Sequence, residues 1–420
     1  MTDTSRDGLS LRPFRALRPA VDAARLSRLL CPPYDVIDEG ERARLLAADP
    51  DNAVGVILPE AADDGDPYLQ AAQRLDNAVA RGLLATDGEP ALYVYEMQQP
   101  GGATTRGLLG AVELRDPADG VILPHENTMA GPVADRLALM SATEANLEPI
   151  YLVYDGGGAA SQVVGAADTQ PTIAEARTPD GIRHRLWALT DPQTQLAVAT
   201  DLATRRALIA DGHHRYATYR ALQQRYQAER GSGPWDRGLT LLVDSSSYGP
   251  QVHAIHRVLR GVTLDAAVIS AAAVGEVLDV PSVDAGLRLA EAIVGFAAVL
   301  TDGVRVALLT DPVGNLAAAA VRAAEPPELA QLDVTVLHRA LVEQTLALPD
   351  TVDVVGYAHS VQEAISMAQR SEGTAVLLRP TPVAAVAAVA AAGARMPRKS
   401  TLFTPKPASG LVMRRFVDER

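Results

Sequence analysis

The sequence predicts a mixed α/β fold of about two domains. Segments with helical spacing alternate with short β-type segments, and a Pro-Gly-Gly turn at 100–102 between two such segments indicates a hairpin. The chain has 420 residues, of which 48% are hydrophobic and 21% charged, so it can bury a substantial core. We place the two regions at 1–260 and 261–420, because the composition changes near residue 262 to helix–strand units that are rich in Ala and Val.

The individual elements follow from hydrophobic periodicity and from turn residues. Helices are predicted over 20–30, 69–81, 134–147 and 216–230. Strands are predicted over 52–58, 91–96, 107–114, 121–123, 150–154, 183–189, 207–210, 239–244 and 252–258. Between 155 and 182 the composition is typical of a linker, rich in Ala, Thr, Asp and Pro.

Composition also limits the compartment. The richest apolar run, 383–392, has ten residues before Gly393 and is too short to span a bilayer. Residues 1–8 are polar and lack the apolar core of an export signal. The single cysteine, Cys31, excludes an internal disulfide framework and a multi-cysteine zinc site. We therefore expect a cytoplasmic protein with no membrane partner.

The charge pattern holds a more specific signal. The net charge of −13 disfavours binding to nucleic acid. Of the 38 basic residues only two are lysines, Lys399 and Lys406, and they lie within eight residues of each other. Where arginine is the usual cation, a lysine can mark a place that needs a compact, mobile ammonium group. Chance clustering of two rare residues explains the pattern equally well.

The strongest local pattern is a short strand that opens directly into a helix. The first-turn N–H groups and the dipole of a helix favour an anion at such a position. Arginine can hold a phosphate with two hydrogen bonds, histidine can donate or transfer a proton, and aspartate can bind Mg²⁺. A polar first turn capped by an aspartate is the structural alternative. The residues concerned are Asp211, Gly212, His213, His214 and Arg215.

Three further loops carry candidate residues. After the strand at 121–123, His125 and Glu126 lie in a Pro-containing loop, where Glu126 could act as a general base or hold a metal.

The segment 396–401 combines Lys399 with Ser400 and Thr401, which suits a phosphate contact, although it lacks the glycines of a Walker A motif. In CPPYDVI (31–37), two prolines stiffen a loop that could hold Tyr34 and Asp35 at the wall of a substrate site. A solvated loop or an ordinary basic turn is the alternative in these cases.

Five ordered segments resemble a widespread prokaryotic family that is known chiefly as a domain of unknown function. They are LRPFRAL (11–17), CPPYDVI (31–37), LPHENT (123–128), ADGHHRY (210–216) and MPRKSTLFTPKPASGL (396–411). The DGHxR part is also similar to the free-serine kinases. That resemblance implies a ParB/sulfiredoxin-like nucleotide-binding core beside an additional Ala/Val-rich α/β domain. It further implies phosphate contacts from Asp211, Gly212, His213 and Arg215, with Glu126 as the candidate for the catalytic glutamate of those kinases.

The sequence thus favours a nucleotide-dependent phosphotransferase that acts on the hydroxyl of a small metabolite, with free serine as the first candidate. It would use ATP or ADP and Mg²⁺, with Asp211 or Glu126 near the metal and Lys399 closing over the phosphates. We expect the 211–215 turn and the 125–126 loop to face one pocket. Two alternatives stay open: a nucleotide-sensing module without turnover, and a metal-dependent hydrolase that uses His125, Glu126, His213 and His214. Homodimer formation is compatible with the sequence.

Overall fold

The computed structural model describes residues 8–61 and 65–419, which form two compact units. The first unit is drawn from the ranges 1–124, 128–250 and 405–420, and the second from 125–127 and 251–404. The segment 405–420 therefore belongs to the first unit, although the whole second unit precedes it in the sequence. Residues 1–7, which carry most of the expectation about an export signal, lie outside the described residues.

The helices and strands alternate along the chain, which confirms the mixed α/β class. The strands are β1 (Leu11–Arg12), β2 (Leu17–Pro19), β3 (Leu84–Thr86), β4 (Leu92–Gln98), β5 (Thr104–Glu113), β6 (Ile122–Leu123), β7 (Ala145–Asn146), β8 (Ile150–Tyr154), β9 (Ala174–Arg177), β10 (Arg183–Leu189), β11 (Ala207–Asp211), β12 (Arg237–Asp244), β13 (Gln251–His253), β14 (His256–Leu259), β15 (Glu276–Asp279), β16 (Ala297–Thr301), β17 (Val306–Thr310), β18 (Val355–Ala358), β19 (Thr374–Leu377), β20 (Leu402–Thr404) and β21 (Arg414–Arg415). The α-helices are α1 (Ala23–Leu29), α2 (Glu39–Ala48), α3 (Val54–Ile57), α4 (Pro67–Ala80), α5 (Ala130–Thr143), α6 (Gly158–Gly165), α7 (Pro192–Leu202), α8 (His213–Arg230), α9 (Leu264–Ala272), α10 (Val283–Ala292), α11 (Asn315–Ala319), α12 (Pro327–Ala330), α13 (Asp333–Val336), α14 (Val361–Arg370) and α15 (Val383–Ala391). A π-helical stretch, Leu337–Thr345, continues α13.

The first unit is built on a mixed sheet in the order β6-β11-β8-β12-β5-β4-β10-β9, with β1 pairing β5 at the side. The predicted hairpin is confirmed, since β4 and β5 pair antiparallel across the turn at 100–102. Strand β12, between β8 and β5, is buried on both of its faces along almost its whole length. Strand β11 lies between β6 and β8 and leads into α8, so this sheet positions the 211–215 turn.

The second unit contains an antiparallel six-stranded sheet in the order β15-β17-β16-β19-β14-β18. Its core is formed mainly by Val, Ala and Leu side chains from these strands and from helices α10 and α14. A separate two-stranded ribbon, β13 with β20, joins the two ends of this unit. The unit therefore has its own sheet and its own apolar core.

Two sequence predictions of strands need correction. Residues 52–58 contain the helix α3 rather than a strand, because the side chain of Asn52 accepts a hydrogen bond from the Val54 amide at 2.9 Å and forms a turn just before the N-cap, Ala53. The predicted strand 252–258 is interrupted, since β13 pairs with β20 whereas β14 pairs with β18 and β19. The segment 155–182 also contains helix α6 and strand β9. Among the described helices, none is long and apolar enough to cross a membrane.

Candidate functional site

The 211–215 turn lies where β11 passes into α8. The pairing of β11 with β8 shifts register between Ile209 and Asp211, so the strand ends irregularly at the aspartate. Gly212 has φ +92° and forms the N-cap of the 18-residue helix. A Cβ atom here would also lie 3.0 Å from Nε of Arg215, so both the backbone angle and the space favour glycine. Glycine brings no capping side chain, which leaves the positive end of the helix dipole to other groups.

The group next to this turn is Lys406, one of the two lysines of the chain. Its Nζ lies 2.7 Å from Oδ1 of Asp211 and 2.9 Å from Oδ2 of Asp35. The lysine side chain is only 15% exposed. Burial on its own would lower the pKa of Lys406, but the charges of Asp211 and Asp35 outweigh burial and raise the pKa above its usual value. Lys406 is therefore a charged ammonium that two carboxylates hold in place.

Arg215 is buried beneath the turn and is paired inside the protein. Its guanidinium forms an ion pair with Asp211 and donates to the carbonyl oxygen of Pro149 at 2.5 Å. Burial alone would lower its pKa, but the charges of Asp211, Glu148 and Asp35 raise it. Asp211, at the end of β11, thus accepts from two cations, Arg215 on the following helix α8 and Lys406 from the C-terminal segment. Arg215 fixes the carboxylate that receives Lys406.

The CPPYDVI segment (31–37) and the KPASG segment (406–410) lie side by side. Cys31 and Ser409 exchange two backbone hydrogen bonds, of 3.2 and 2.8 Å, as an antiparallel bridge. Buried Glu148 joins the same two segments, because Oε1 accepts from the Tyr34 amide at 3.2 Å and from the Ser409 hydroxyl at 2.7 Å. This pairing brings Asp35 and Lys406 together although 371 positions separate them.

Tyr34 is oriented by a cation–π contact. The guanidinium carbon of Arg136 lies 4.4 Å from the centroid of the tyrosine ring, and Arg136 also donates to the carbonyl oxygen of Ile57. Burial is the main cause that raises the pKa of Tyr34 to about 12, partly opposed by the charge of Arg215. The phenol is therefore neutral near pH 7 and is available for packing or hydrogen bonding rather than as an anion.

A buried network supports the KPASG segment from the sheet side. The hydroxyl of Tyr95 accepts a hydrogen bond from the Ala408 amide at 3.1 Å and contacts Nδ1 of His184 at 2.8 Å. Nε2 of His184 is 2.9 Å from the hydroxyl of Thr178. Burial lowers the pKa of His184 to about 4, so the imidazole is neutral at physiological pH. The network places a backbone amide two residues from Lys406.

The two histidines of the turn differ in their surroundings. His213 is buried at the first position of α8. His214 is half-buried, and its Nε2 accepts a hydrogen bond from the Met129 amide at 3.1 Å, at the start of α5. Because Nε2 accepts, this nitrogen carries no proton in that contact. His214 thus links the start of α8 to the start of α5.

The remaining predicted site residues lie in the second unit. Nε2 of buried His125 is 3.0 Å from the Thr401 hydroxyl, and the His125 carbonyl oxygen accepts from the Met396 amide at 2.8 Å. Ser400 is buried and donates to the Pro397 carbonyl oxygen. Lys399 is exposed and has φ +55°, a left-handed conformation that is rare for lysine. The structure therefore brings His125 together with the MPRKST segment.

Arg257 lies in the same region of the second unit. Its Nε donates to Nε2 of His338 at 2.8 Å and its Nη2 donates to the Arg398 carbonyl oxygen at 3.2 Å. Burial lowers the pKa of Arg257 to about 10, although the charges of Tyr357, Asp350 and Glu126 act in the opposite direction. Half-buried Glu126 is thus an electrostatic neighbour of a buried cation. The expected convergence of Glu126 with His213 stays a prediction.

The cluster in the first unit consists of Asp35, Asp211, Arg215 and Lys406, supported by Glu148. The first three were predicted from the sequence, whereas Lys399 was favoured over Lys406 and Glu148 was not predicted. The rarity of lysine was the available signal for Lys406, whereas Glu148 carries no local signal. Within the described residues, no group of three or more His, Cys, Asp or Glu side chains is arranged to hold a metal ion.

Comparison with protein families identifies the chain. The model of a family described as a protein of unknown function, DUF1015, matches residues 11–335. The chain belongs to this family. The match extends over most of the first unit and into the second, and it includes the CPPYDVI, LPHENT and DGHHR segments. Among curated proteins, no match was found.

Several solved structures share a distant similarity with this DUF1015 protein. A mutant of a free serine kinase in complex with ADP has 13% identity and a TM-score of 0.35, and the match covers 67% of this chain and 84% of that one. A conserved hypothetical protein from Pyrococcus furiosus has 14% identity and a TM-score of 0.34, with 71% and 94% covered. SbnI with a C-terminal truncation, from Staphylococcus aureus, has 10% identity and a TM-score of 0.36, with 72% and 86% covered.

Proposed function

We propose that this DUF1015 protein is a nucleotide-dependent phosphotransferase that acts on the hydroxyl of a small metabolite. The observation that carries the proposal is the position of Lys406, held between Asp35 and Asp211 beside the glycine-capped start of α8. Phosphoryl transfer depends on positioning and on neutralising negative charge, and this arrangement supplies groups for both. Free serine is the first acceptor to test, because the DGHxR motif resembles that of the free-serine kinases.

The phosphate groups would bind at the start of α8. The helix dipole and the first-turn amides favour an anion there, and Lys406 adds a full positive charge beside them. Arg215 is committed to Asp211 and to the Pro149 carbonyl oxygen, so its role in this proposal is to position Asp211. Lys406 takes the phosphate-binding role that the sequence had suggested for Lys399.

The proton of the acceptor hydroxyl needs a base within reach. In the first unit Asp35 is the more accessible carboxylate, with 36% of its side chain exposed against 15% for Asp211. In the proposed step the hydroxyl oxygen forms a bond to the terminal phosphorus, and the bond from that phosphorus to the nucleotide oxygen breaks. The hydroxyl proton passes to Asp35, and the nucleotide leaves with one phosphate fewer. Glu126 stays an alternative base.

The donor set is compatible with Mg²⁺ as part of a nucleotide complex. Magnesium prefers oxygen ligands and is commonly held by one or two carboxylates together with substrate phosphates and water. Asp35 and Asp211 are the carboxylates that could contribute in the first unit, and Glu126 is the predicted ligand from the second. When bound, the ion would neutralise negative charge on the phosphates.

The test combines nucleotide binding with nucleotide consumption. Titration calorimetry with ATP and with ADP, in the presence of Mg²⁺, measures binding, and a coupled assay measures consumption with and without serine. We expect Asp35→Asn to lower turnover at least a hundredfold, and Glu126→Gln to show whether the second carboxylate matters more. Binding without serine-dependent consumption would favour a sensing module, and consumption with another small alcohol would replace serine as the substrate. If neither nucleotide binds, the proposal is wrong.

A further inference from the structure

The first unit contains an apolar cavity that the proposed reaction does not use. It has a volume of about 350 Å³ and is formed by α1, α3, α4 and β3 together with the chain around Met413. This size lies at the lower end of the usual range for small-molecule sites, about 300–1,000 Å³. The apolar lining consists mainly of buried side chains, Leu29, Ile57, Leu75, Leu83, Leu84 and Met413.

The rim of this cavity has an excess of positive charge. Its charged lining residues are Asp51, Arg74 and Arg81. Asp51 is already paired, because Arg81 lies 2.7 Å from Oδ1 and Arg25 lies 3.1 Å from Oδ2. Within the described part of the chain, the guanidinium of Arg74 makes no hydrogen bond or ion pair. Arg74 is therefore a cation at the edge of an apolar cavity that has no acidic partner among the described residues.

Gly55 gives Arg74 its place at the rim. A Cβ atom on Gly55 would lie 2.9 Å from Nη1 of Arg74, so the guanidinium rests where any other residue would carry its side chain. The glycine lies on α3, which forms part of the cavity wall. The arginine head therefore lies at the mouth of the cavity, where Arg74 is also exposed to solvent.

We propose that this cavity binds a small amphipathic carboxylate, such as a medium-chain fatty acid, whose apolar part fills the cavity and whose carboxylate pairs with Arg74. The apolar lining supplies the binding energy of the tail, since burial of each methylene group is favourable. The carboxylate is selected because it provides an acceptor that Arg74 does not find among the described residues. An alcohol of the same length has the same tail without the charge.

The test compares octanoate with 1-octanol by titration calorimetry on the full chain. We expect saturable binding of one octanoate, about tenfold tighter than 1-octanol. Arg74→Gln should reduce octanoate affinity to the level of the alcohol and leave the alcohol unchanged. Arg288→Gln is the matched control, because Arg288 is also an exposed arginine on a helix and is unpaired within the described residues. It should change neither affinity.

A second variant tests the cavity itself. Ala78 lines the cavity and is nearly buried, so Ala78→Phe should fill the space and abolish binding of both ligands. If Ala78→Phe does not fold, Arg74→Gln decides the matter alone, because Arg74 is exposed and its replacement breaks no pair among the residues that the structure describes. Equal affinities for octanoate and 1-octanol in the parent protein, or an unchanged octanoate affinity in Arg74→Gln, would overturn the proposal.

Discussion

Replacement of Lys406 by methionine tests the charge cluster directly. The change keeps a long side chain but removes the ammonium group that lies 2.7 Å from Asp211 and 2.9 Å from Asp35. A hydrogen bond to a charged group contributes about 1.5–3 kcal/mol. Asp35 is exposed enough to regain water, and Asp211 keeps Arg215, so the two losses do not add fully. We expect the free energy of unfolding of the first unit to fall by about 2–3 kcal/mol at pH 7.

The pH dependence of this loss follows from the direction of the lysine pKa. The folded state raises the pKa of Lys406 above its usual value of 10.5. The stabilising contribution is therefore fully present below pH 10.5 and is lost as the pH rises through the folded-state pKa. Lys406→Met should differ most from the parent near neutral pH and should approach it in strongly alkaline solution.

Both tryptophans of the chain, Trp187 and Trp235, belong to the first unit, so their fluorescence reports its unfolding. Urea titrations followed in this way measure the free energy of unfolding for the parent, Lys406→Met and Lys399→Met. Lys399 is exposed, and its replacement should change this value by less than about 0.5 kcal/mol. Equal effects of the two replacements, or no effect of Lys406→Met, would refute the view that Lys406 stabilises the cluster.

Two further predictions concern the reactivity of the two lysines and the titration of a buried histidine. An amine-reactive acylating reagent should modify Lys399 much faster than Lys406, because the side chain of Lys406 is only 15% exposed and is paired with two carboxylates. Peptide mass spectrometry measures both rates, and equal rates would contradict the buried position of Lys406. Burial lowers the pKa of His184 from 6.5 to about 4, so on acidification the unfolded chain binds the proton before the folded chain does. The free energy of unfolding therefore falls as the pH drops from 6.5 towards 4, by about 3 kcal/mol over the whole range. His184→Asn should flatten this part of the stability profile measured by tryptophan fluorescence, and an unchanged slope would show that His184 does not cause the loss.

Local patterns predicted the parts of the fold that local interactions determine. Strand β11 and helix α8 were predicted to within three residues, because the apolar strand, Gly212 and the helical spacing lie next to one another in sequence. The helix α3 was mistaken for a strand, because a run of four or five apolar residues fits either structure. Asn52 favours the helix over the strand, and its side-chain amide also donates to the carbonyl oxygens of Arg28 and Leu30.

The candidate site was predicted only where its residues lie close together in sequence. The sequence indicated a special role for the lysine segment, but whether Lys399 or Lys406 reaches Asp211 depends on the bridge between Cys31 and Ser409. The register of such a long-range pairing leaves no local trace in the sequence. Glu148 was missed for the same reason, since its side-chain partners Tyr34 and Ser409 are 114 and 261 positions away.

The return of the segment 405–420 to the first unit has a consequence for the order in which the protein is made. Asp35, Asp211 and Arg215 leave the ribosome before residues 251–404, whereas Lys406 leaves after them. The ammonium group that balances the two carboxylates therefore arrives last, and closing this contact requires a very long loop of chain to be already made. A product that stops between residues 211 and 405 holds both carboxylates without their lysine. Under the proposed function, the cell obtains a competent phosphate site only from chains whose synthesis has passed through the whole second unit.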